Sequence, residues 1–468
     1  MNPRRFFQSK RSSVMILAAI PLLAVPNQVG MAQVSRQTAA ANIQSEEYVI
    51  FGDVNLGGGE TEIAVNPTDP NHIIIGVLAG HHRLADGKIP DGTQATRTQR
   101  LGQDGYSYCV FAQTWDRGKT WTFFEDKTHK KFDDKKANNY DPAVQFGPDG
   151  TLYRGLVFGE SAIMASMDKG KTWGEPHIMQ QPPAPWDRAE IRIDNSTGTL
   201  YVTGHAQTGT PPHETDSVAA SHDNGKTWAP GQLWDSGSTE FPQLTTNGGV
   251  GMAAGNGRVA VAYISGKPGG AAPRIVFGTS KDDGKTFERH VLPHQVAIDH
   301  VSLAADQSKP GRYAVMTMAP DAVQLWVYVT EDYGNTWSKV VAARAPSGTK
   351  VFIKEPATTA IQLGDNNRLL SAIKYSRKGE LAILWRAQYP DYRFDVWSSL
   401  SRDGGRQFKS LRVSHVTSPR KSKERGHFLV GEDYWDLDVD NEFVHFVYTG
   451  SQPGFLATWY ARMPISAY

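Results

Sequence analysis

Ser221-His-Asp-Asn-Gly-Lys-Thr-Trp228 is the clearest copy of a pattern that occurs six times in this chain of 468 residues. The pattern is S/T-x-D-x-G-x-T-W/F, and its aspartates are Asp116, Asp168, Asp223, Asp282, Asp332 and Asp403. Successive aspartates are 52, 55, 59, 50 and 71 residues apart. A repeat of about 50–60 residues has the size of a four-stranded propeller blade. The sequence therefore predicts an all-β repeat protein.

Each copy of the pattern suits the turn of a β-hairpin. The aspartate can accept hydrogen bonds from turn amides, the glycine tolerates a positive φ, and the ring that follows packs between sheets. The pattern resembles the Asp box, or BNR repeat, of the sialidase-like propeller superfamily, and the resemblance covers nearly the whole chain after its first 32 residues. We interpret the six aspartates as structural, because an Asp box lies on turns that hold the blades together.

The N-terminus has the composition of an export signal. Four basic residues occur within the first 11, an apolar stretch follows at 14–25, and Gly30-Met-Ala32 precedes Gln33. This order is typical of a cleaved signal peptide, and the apolar stretch is too short to span a bilayer. We predict a signal peptide at 1–32, a linker at 33–45 and a single propeller domain at 46–468. The protein would be periplasmic or extracellular, exported by the general secretory or the twin-arginine route.

Charge and cysteine content argue against several classes of function. The formal net charge is +1, which gives no electrostatic basis for binding nucleic acid or an anionic membrane. Cys109 is the only cysteine, so no intramolecular disulfide or thiolate metal cluster can form. No P-loop, dinucleotide-binding glycine pattern, HExxH motif or nucleophile elbow occurs in the sequence. We expect a monomer without a cofactor that binds an extracellular carbohydrate.

A second element between the boxes predicts the number of blades. It is an alternating strand, a tight turn and an apolar strand, as at residues 61–65, 66–71 and 73–77. Seven such hairpins are expected for six boxes, starting near Glu60, Asp141, Asp187, Glu240, Asp299, Glu355 and Asp433. Seven hairpins and six boxes are consistent if the seventh blade lacks a box and is completed by residues 48–51, paired with 455–463. We predict a seven-bladed β-propeller, with the six-bladed ring usual in sialidases as the alternative.

The face opposite the boxes is the predicted functional face. In an up-and-down blade, the box turn and the first-hairpin turn lie at one face, so the starts of the first strands lie at the other. The acid expected near each of these starts would place a ring of carboxylates around the channel mouth. Clustered carboxylates have raised pKa values and also suit Ca²⁺, although each acid alternatively serves a structural hydrogen bond.

The sialidase resemblance implies catalytic roles. Sialidases of this architecture clamp the substrate carboxylate with three arginines and use a Tyr activated by a Glu as nucleophile, with an Asp as acid/base. Glu240 and Tyr434 lie near predicted first strands, roughly where the family's Glu and Tyr would be, and Asp187 and His205 complete the predicted catalytic set. The predicted substrate-binding residues are His81, His82, Arg83, Tyr140, Asp141, Arg188, Asp299 and Glu355.

One hallmark of the sialidases is absent. Their Phe/Tyr-Arg-Ile-Pro motif is replaced by Glu-Thr-Glu-Ile at residues 60–63, and the similar Glu-Ile-Arg-Ile at 190–193 lacks the proline. His81 or His82, Tyr140, His205 and Arg188 would also suit a lyase that acts on uronate polymers. We predict a secreted glycan-active propeller, with sialidase-like exo-hydrolysis as the leading chemistry. The alternatives are a polysaccharide lyase and a non-catalytic propeller that binds glycan or protein.

Overall fold

Seven four-stranded antiparallel sheets form the protein. The computed structural model describes residues 45–52, 56–81, 107–125, 140–157, 161–178, 187–208, 213–235, 251–266, 272–296, 301–353, 371–418, 435–450 and 457–468. Each innermost strand contacts the innermost strands of the blades before and after it, so the sheets surround a central channel. This is the predicted seven-bladed propeller, and the six-bladed alternative is wrong.

The strands follow the chain in order, and each of blades one to six uses four consecutive strands, innermost first. The chain starts with β1 (Glu46–Phe51). Blade one contains β2 (Leu56–Val65), β3 (Ile73–His81), β4 (Ser107–Thr114) and β5 (Thr122–Glu125). Blade two contains β6 (Tyr140–Phe146), β7 (Leu152–Val157), β8 (Ser161–Ser166) and β9 (His177–Ile178). Blade three contains β10 (Asp187–Ile193), β11 (Leu200–Thr208), β12 (His213–Ser221) and β13 (Ala229–Asp235).

The second half of the ring repeats this plan. Blade four contains β14 (Gly251–Gly255), β15 (Arg258–Ser265), β16 (Arg274–Ser280) and β17 (Glu288–Gln295). Blade five contains β18 (Ser302–Ala305), β19 (Tyr313–Met318), β20 (Gln324–Thr330) and β21 (Ser338–Arg344). Blade six contains β22 (Ala372–Tyr375), β23 (Leu381–Gln388), β24 (Phe394–Ser401) and β25 (Lys409–Arg412).

Blade seven joins the two ends of the chain. Its inner three strands are β26 (Asp436–Val439), β27 (Phe443–Gly450) and β28 (Ala457–Pro464), and its outermost strand is β1. β1 pairs antiparallel with β28, with Glu46 opposite Arg462 and Tyr48 opposite Tyr460. The predicted closure by the N-terminal strand is therefore confirmed.

The box turns have the geometry that their sequence predicts. In blade three, Asp223 accepts hydrogen bonds from the Thr227 amide at 2.9 Å and the Thr227 hydroxyl at 2.6 Å. The Ser221 hydroxyl donates to Asp223 at 2.9 Å and accepts from the Gly225 amide at 2.9 Å. Gly225 has φ +83°, and its carbonyl accepts the Trp228 indole N–H at 3.0 Å. The carboxylate thus holds the turn, and the indole is fixed against the neighbouring blade.

Apolar residues that alternate along the strands fill the spaces between blades. Between blades two and three, Ile163, Ile191, Val202 and Trp228 belong to one buried cluster. Burial of such side chains contributes about 25 cal/mol per Å² of apolar surface. No helix in the described part of the chain has the length and hydropathy needed to cross a membrane.

Two predicted strand positions are wrong. The innermost strands of blades four and six are Gly251–Gly255 and Ala372–Tyr375, so these hairpins do not start near Glu240 and Glu355. β14 consists of Gly, Met and Ala only. Gly and Ala have low strand propensity, although their small size suits an innermost strand that packs closely against its neighbours. The apolar and β-branched stretches after Glu240 and Glu355 therefore look more like strands in the sequence than β14 and β22 do.

Candidate active site

The innermost strands of blades one, two and three are irregular at the same place. The pairing of each strand with its neighbour shifts register between Gly59 and Glu62, between Tyr140 and Ala143, and between Asp187 and Glu190. In blade two, Pro142 lies inside the shift and has no N–H for the ladder, which favours a bulge. β-Bulges redirect side chains and are over-represented beside active sites. These three bulges lie toward the end of the channel opposite the boxes.

An acidic residue occupies each of the first two bulges in a strained backbone conformation. Glu60 has φ +42° and Asp141 has φ +48°. Residues other than glycine rarely adopt a positive φ, and holding one there costs on the order of 1–3 kcal/mol. Glu60 and Asp141 stand five residues before Val65 and Phe146, the last paired residues of their strands. Two neighbouring blades therefore present a carboxylate at one register.

Blade three departs from the predicted register by one residue. Arg188, not Asp187, stands five residues before the last paired residue, Ile193. Asp187 is aligned with Gly59 and Tyr140, and it lies opposite His205 of β11. The prediction that an acid occupies the same register in every blade is thus wrong for blade three, since Arg188 takes the place of Glu60 and Asp141.

The structure brings several predicted site residues together on three adjacent blades. Tyr140, Asp141, Asp187, Arg188 and His205 lie on β6, β10 and β11, and His81 ends β3 opposite Leu56. The acids of blades one to three are also inside their strands and not before them. The remaining predicted site residues lie outside the described residues: His82, Arg83, Glu240, Asp299, Glu355 and Tyr434.

A network of charged residues inside the channel was missed by the sequence reasoning. Glu62, Glu190 and Asp436 stand three residues before the last paired residue of their strands. Arg192, Lys374 and Asp438 stand one residue before it. The signal was the alternation of charged and apolar residues in Glu-Ile-Arg-Ile at 190–193 and Asp-Leu-Asp-Val at 436–439, which predicts a strand with a charged face.

Carboxylates of this network join neighbouring blades. Asp436 accepts from the Ile63 amide at 3.1 Å, and Asp438 accepts from the Val65 amide at 2.7 Å. Glu62 in turn accepts from the Val144 amide of blade two at 3.2 Å. The two cations are paired, because Arg192 contacts Glu190 at 3.0 Å and Lys374 contacts Asp438 at 3.2 Å.

The channel environment raises carboxyl pKa values. Burial, reinforced by the negative charge of Asp436, raises the pKa of Glu62 to about 8. Burial also raises the pKa of Asp436, against the opposing charges of Lys374 and Arg192. The box carboxylates behave in the opposite way: hydrogen bonds from the Thr172 hydroxyl and amide lower the pKa of Asp168 to about 2. A channel carboxyl can therefore hold a proton at neutral pH, whereas a box carboxylate stays ionised.

A cavity of about 150 Å³ occupies the end of the channel at the box face. Its wall includes Glu62, Arg192 and Lys374, and the turn residues Asn66 and Asn441 line its rim. In the described part of the chain, no group of three or more His, Cys, Asp or Glu residues is arranged to hold a metal ion. The predicted Ca²⁺ site stays a prediction, because several of the mouth acids lie outside that part.

The sequence matches the BNR repeat-like domain family over residues 159–415, which include boxes two to six. The chain belongs to this BNR repeat-like family. The predicted resemblance to Asp-box propellers is thereby confirmed, and the seven blades described above are the form that the family's repeat takes here. No curated protein matches the chain.

Several solved structures are similar to this BNR-repeat propeller at low identity. A protein of unknown function from Dyadobacter fermentans is 12% identical over 90% of this chain and 99% of its own, with a TM-score of 0.47. Trypanosoma rangeli sialidase is 12% identical over 90% of this chain and 60% of its own, with a TM-score of 0.43. An α-L-arabinofuranosidase from Fusarium graminearum is 13% identical over 69% of this chain and 92% of its own, with a TM-score of 0.41.

Proposed function

We propose that this BNR-repeat propeller is exported and hydrolyses glycosidic bonds at the channel mouth opposite the boxes. The observation that carries the proposal is the repeated bulge, which holds Glu60 and Asp141 in a left-handed backbone at one register in two adjacent blades. Strained residues persist where the surrounding structure enforces them, and they cluster at functional sites. Most glycoside hydrolases use a pair of carboxylic residues, whereas sialidases use a tyrosine nucleophile with a Glu that activates it and an Asp as acid/base. Glu60 and Asp141 are proposed for these two carboxylic roles.

The residues around this pair suit an anionic sugar. Arg188 shares the register of Glu60 and Asp141, and a guanidinium binds a substrate carboxylate through two parallel hydrogen bonds. Asp187, His205 and Tyr140 supply further acid, base and hydroxyl groups close to that register. We propose a sialidase-like exo-hydrolase that acts on a glycan ending in an acidic sugar.

Counting along the sequence extends the proposed set to two other blades. Tyr434 precedes Val439 by five residues, and His300 precedes Ala305 by five, the same offset as Glu60 and Asp141. Tyr434, flanked by Glu432 and Asp433, is the proposed nucleophile, since a neighbouring carboxylate can activate a phenol. Glu240 stays in the proposal as a candidate partner. His81, His82, Arg83, Asp299 and Glu355 stay as candidates for substrate contact.

A product-resolved screen tests the reaction. The purified chain is incubated with sialosides, arabinosides and uronate polysaccharides, and reducing ends and the absorbance of unsaturated sugars are recorded separately. We expect new reducing ends without unsaturation. Unsaturated products would instead identify a lyase, and binding without turnover would identify a non-catalytic propeller.

Variants then test the site. Glu60→Gln and Asp141→Asn should each lower kcat/KM by about 10²–10⁴-fold, the usual contribution of a general acid or base. Their melting temperatures should stay within a few degrees of the wild type, because each amide keeps the shape of the acid. Asp391→Asn is the matched control, since Asp391 is an exposed acid on the β23–β24 turn of the same face and pairs with Arg393 at 2.7 Å. Full activity in both mouth variants would contradict the assignment.

A further inference from the structure

An exposed aromatic ring lies on the box face, opposite the proposed active site. Trp115 belongs to the first box, and 44% of its surface is exposed. Its ring stacks on His72 with centroids 5.1 Å apart and planes within 7° of parallel. One face of the indole is thus covered by the protein, and the exposed surface includes the other face.

The ring under Trp115 is fixed and uncharged at neutral pH. His72 is fully buried, and its ring meets Phe146 of blade two edge-on at 5.0 Å. Its Nδ1 lies 3.3 Å from the side-chain amide nitrogen of Asn66. Burial lowers the pKa of His72 to about 4, so the imidazole stays neutral. The indole is therefore held on a rigid, neutral base, which reduces the entropy that a ligand must remove on binding.

The second box presents another apolar side chain at the equivalent position. Met167 is 69% exposed, and its sulfur contacts the Thr151 hydroxyl at 3.8 Å. Charged residues lie near both boxes, because Asp69 and Lys169 act electrostatically on His72 and Lys169 follows Met167 by two residues. In the other four boxes the same position is polar or charged: His222, Lys281, Glu331 and Arg402.

We propose that Trp115 and Met167 form a carbohydrate-binding platform on the box face, where the indole stacks on the apolar face of a pyranose ring. A sugar ring has C–H groups on its faces and hydroxyls at its edge. An exposed indole whose supporting His72 is within electrostatic reach of Asp69 and Lys169 is complementary to that shape, as in pockets that combine aromatic walls with a few polar groups. The platform is independent of the reaction proposed at the other mouth.

The small size of the platform favours a sugar over a protein partner. A stable protein interface buries about 800 Å² on each side around an apolar core. Here two apolar side chains stand among polar turn residues, including Thr68, Asp69 and Asn71. Two exposed side chains can contact one or two sugar rings but cannot form the apolar core of a protein interface.

Affinity electrophoresis tests the platform. The chain migrates through gels that contain hydroxyethyl cellulose, glycogen, arabinoxylan, polygalacturonate, hyaluronan or polysialic acid, and the retardation gives an apparent Kd. We expect at least one of these polymers to retard the wild type. Trp115→Ala should weaken that binding at least about 10-fold, whereas Trp115→Phe, which keeps a stacking ring, should stay within about 3-fold.

Controls separate the platform from folding, from the opposite face and from self-association. Phe123→Ala removes a 37% exposed aromatic of the same blade, and Asp391→Asn changes an exposed acid at the opposite face; both should bind like the wild type. If Trp115→Ala lowers the melting temperature, Met167→Gln is used instead and should weaken binding by a smaller factor. Unchanged binding in Trp115→Ala, no retardation of the wild type by any polymer, or a wild-type dimer that Trp115→Ala dissociates would overturn the proposal.

Discussion

Blade three and blade seven each consist of four antiparallel strands, yet only blade three has a box. In blade three, the box is the turn between the third and fourth strands, β12 and β13. In blade seven, the third and fourth strands are β28 and β1, which lie at opposite ends of the chain. No turn connects them, so no box can exist there. Six boxes in a seven-bladed ring therefore follow from closure by the two ends of the chain.

The C-terminal segment makes the contacts that a box makes in other blades. Gly225 of the third box approaches Ile163 of the preceding blade, within 3.3 Å of where its Cβ would lie. In blade seven, a 3₁₀ helix at Ile465–Ala467 follows β28 and contacts the preceding blade instead. Arg402 of the sixth box donates to the Ile465 carbonyl at 2.5 Å, and Lys409 donates to the Ala467 carbonyl at 2.7 Å.

The largest expected effect comes from removing the strand that replaces a box-linked strand. Deleting Glu46–Phe51 takes β1 from blade seven, exposes the edge of β28 and removes the buried Ile50 from its cluster with Val447 and Tyr460. We expect loss of the cooperative melting transition or aggregation, because an open sheet edge invites intermolecular pairing. Circular dichroism and sedimentation measure the outcome. Removal of residues 1–32 alone is the control, and a soluble deletion variant with the melting temperature of that control would contradict the closure model.

The joint between blades seven and one should lose stability as the pH rises from acidic to mildly alkaline values. Asp436 and Asp438 accept amides of β2 there, and Glu62 lies beside Asp436. The pKa of Glu62 is about 8 in the folded chain against 4.5 for an ordinary Glu, so the folded state binds more protons between these values. Stability should then fall as pH rises from 4.5 to about 8, by at most about 1.4 kcal/mol per pH unit, and level off above.

Glu62→Gln tests this dependence, because the amide mimics the protonated carboxyl. Between pH 6 and 9, the free energy of unfolding from urea titrations should fall in the wild type and change less in the variant. Above pH 8 the variant should be the more stable protein. Asp436 titrates together with Glu62, and the charges of Arg192 and Glu190 also act on Glu62. The midpoint of the pH dependence therefore belongs to the Glu62–Asp436 pair. Parallel pH profiles for the two proteins would show that Glu62 is already ionised at neutral pH.

The comparison of blades also explains what could be predicted from the sequence. The boxes are local signals, since Asp223, Gly225 and Thr227 interact within one turn. Their number and spacing therefore predict the repeat, and the missing seventh box predicts that the N-terminal strand closes blade seven. The innermost strands are not local signals. β14 has five residues and β22 has four. Each packs against the innermost strands of the two adjacent blades, and no short-range pattern predicts such a strand.

The candidate site was partly predictable for the same reason. Asp141, Asp187 and Arg188 were found because they lie near recognisable hairpins. The one-residue offset between Asp187 and Asp141 is counted from the last paired residue of each innermost strand, and the exact end of a short strand is among the features that a sequence predicts least well. The channel network was not predicted, because its members come from blades one, three, six and seven, which only the closed ring brings together.

The smallest expected effect concerns a single box. Asp223→Ala removes the acceptor for the Thr227 amide, the Thr227 hydroxyl and the Ser221 hydroxyl, at distances of 2.6–2.9 Å. The turn is near the surface, so water can replace part of these bonds, and we expect a loss of about 1–2 kcal/mol in the free energy of unfolding. Lys226→Ala, in the same turn, keeps every one of these bonds and should leave stability unchanged, as measured by urea denaturation. Because a box stabilises only one turn, loss of its aspartate should cost far less stability than loss of β1 and should not affect the proposed reaction. If Asp223→Ala kept full stability and lost activity, the box would belong to the active site, and the division between fastening turns and a functional mouth would be wrong.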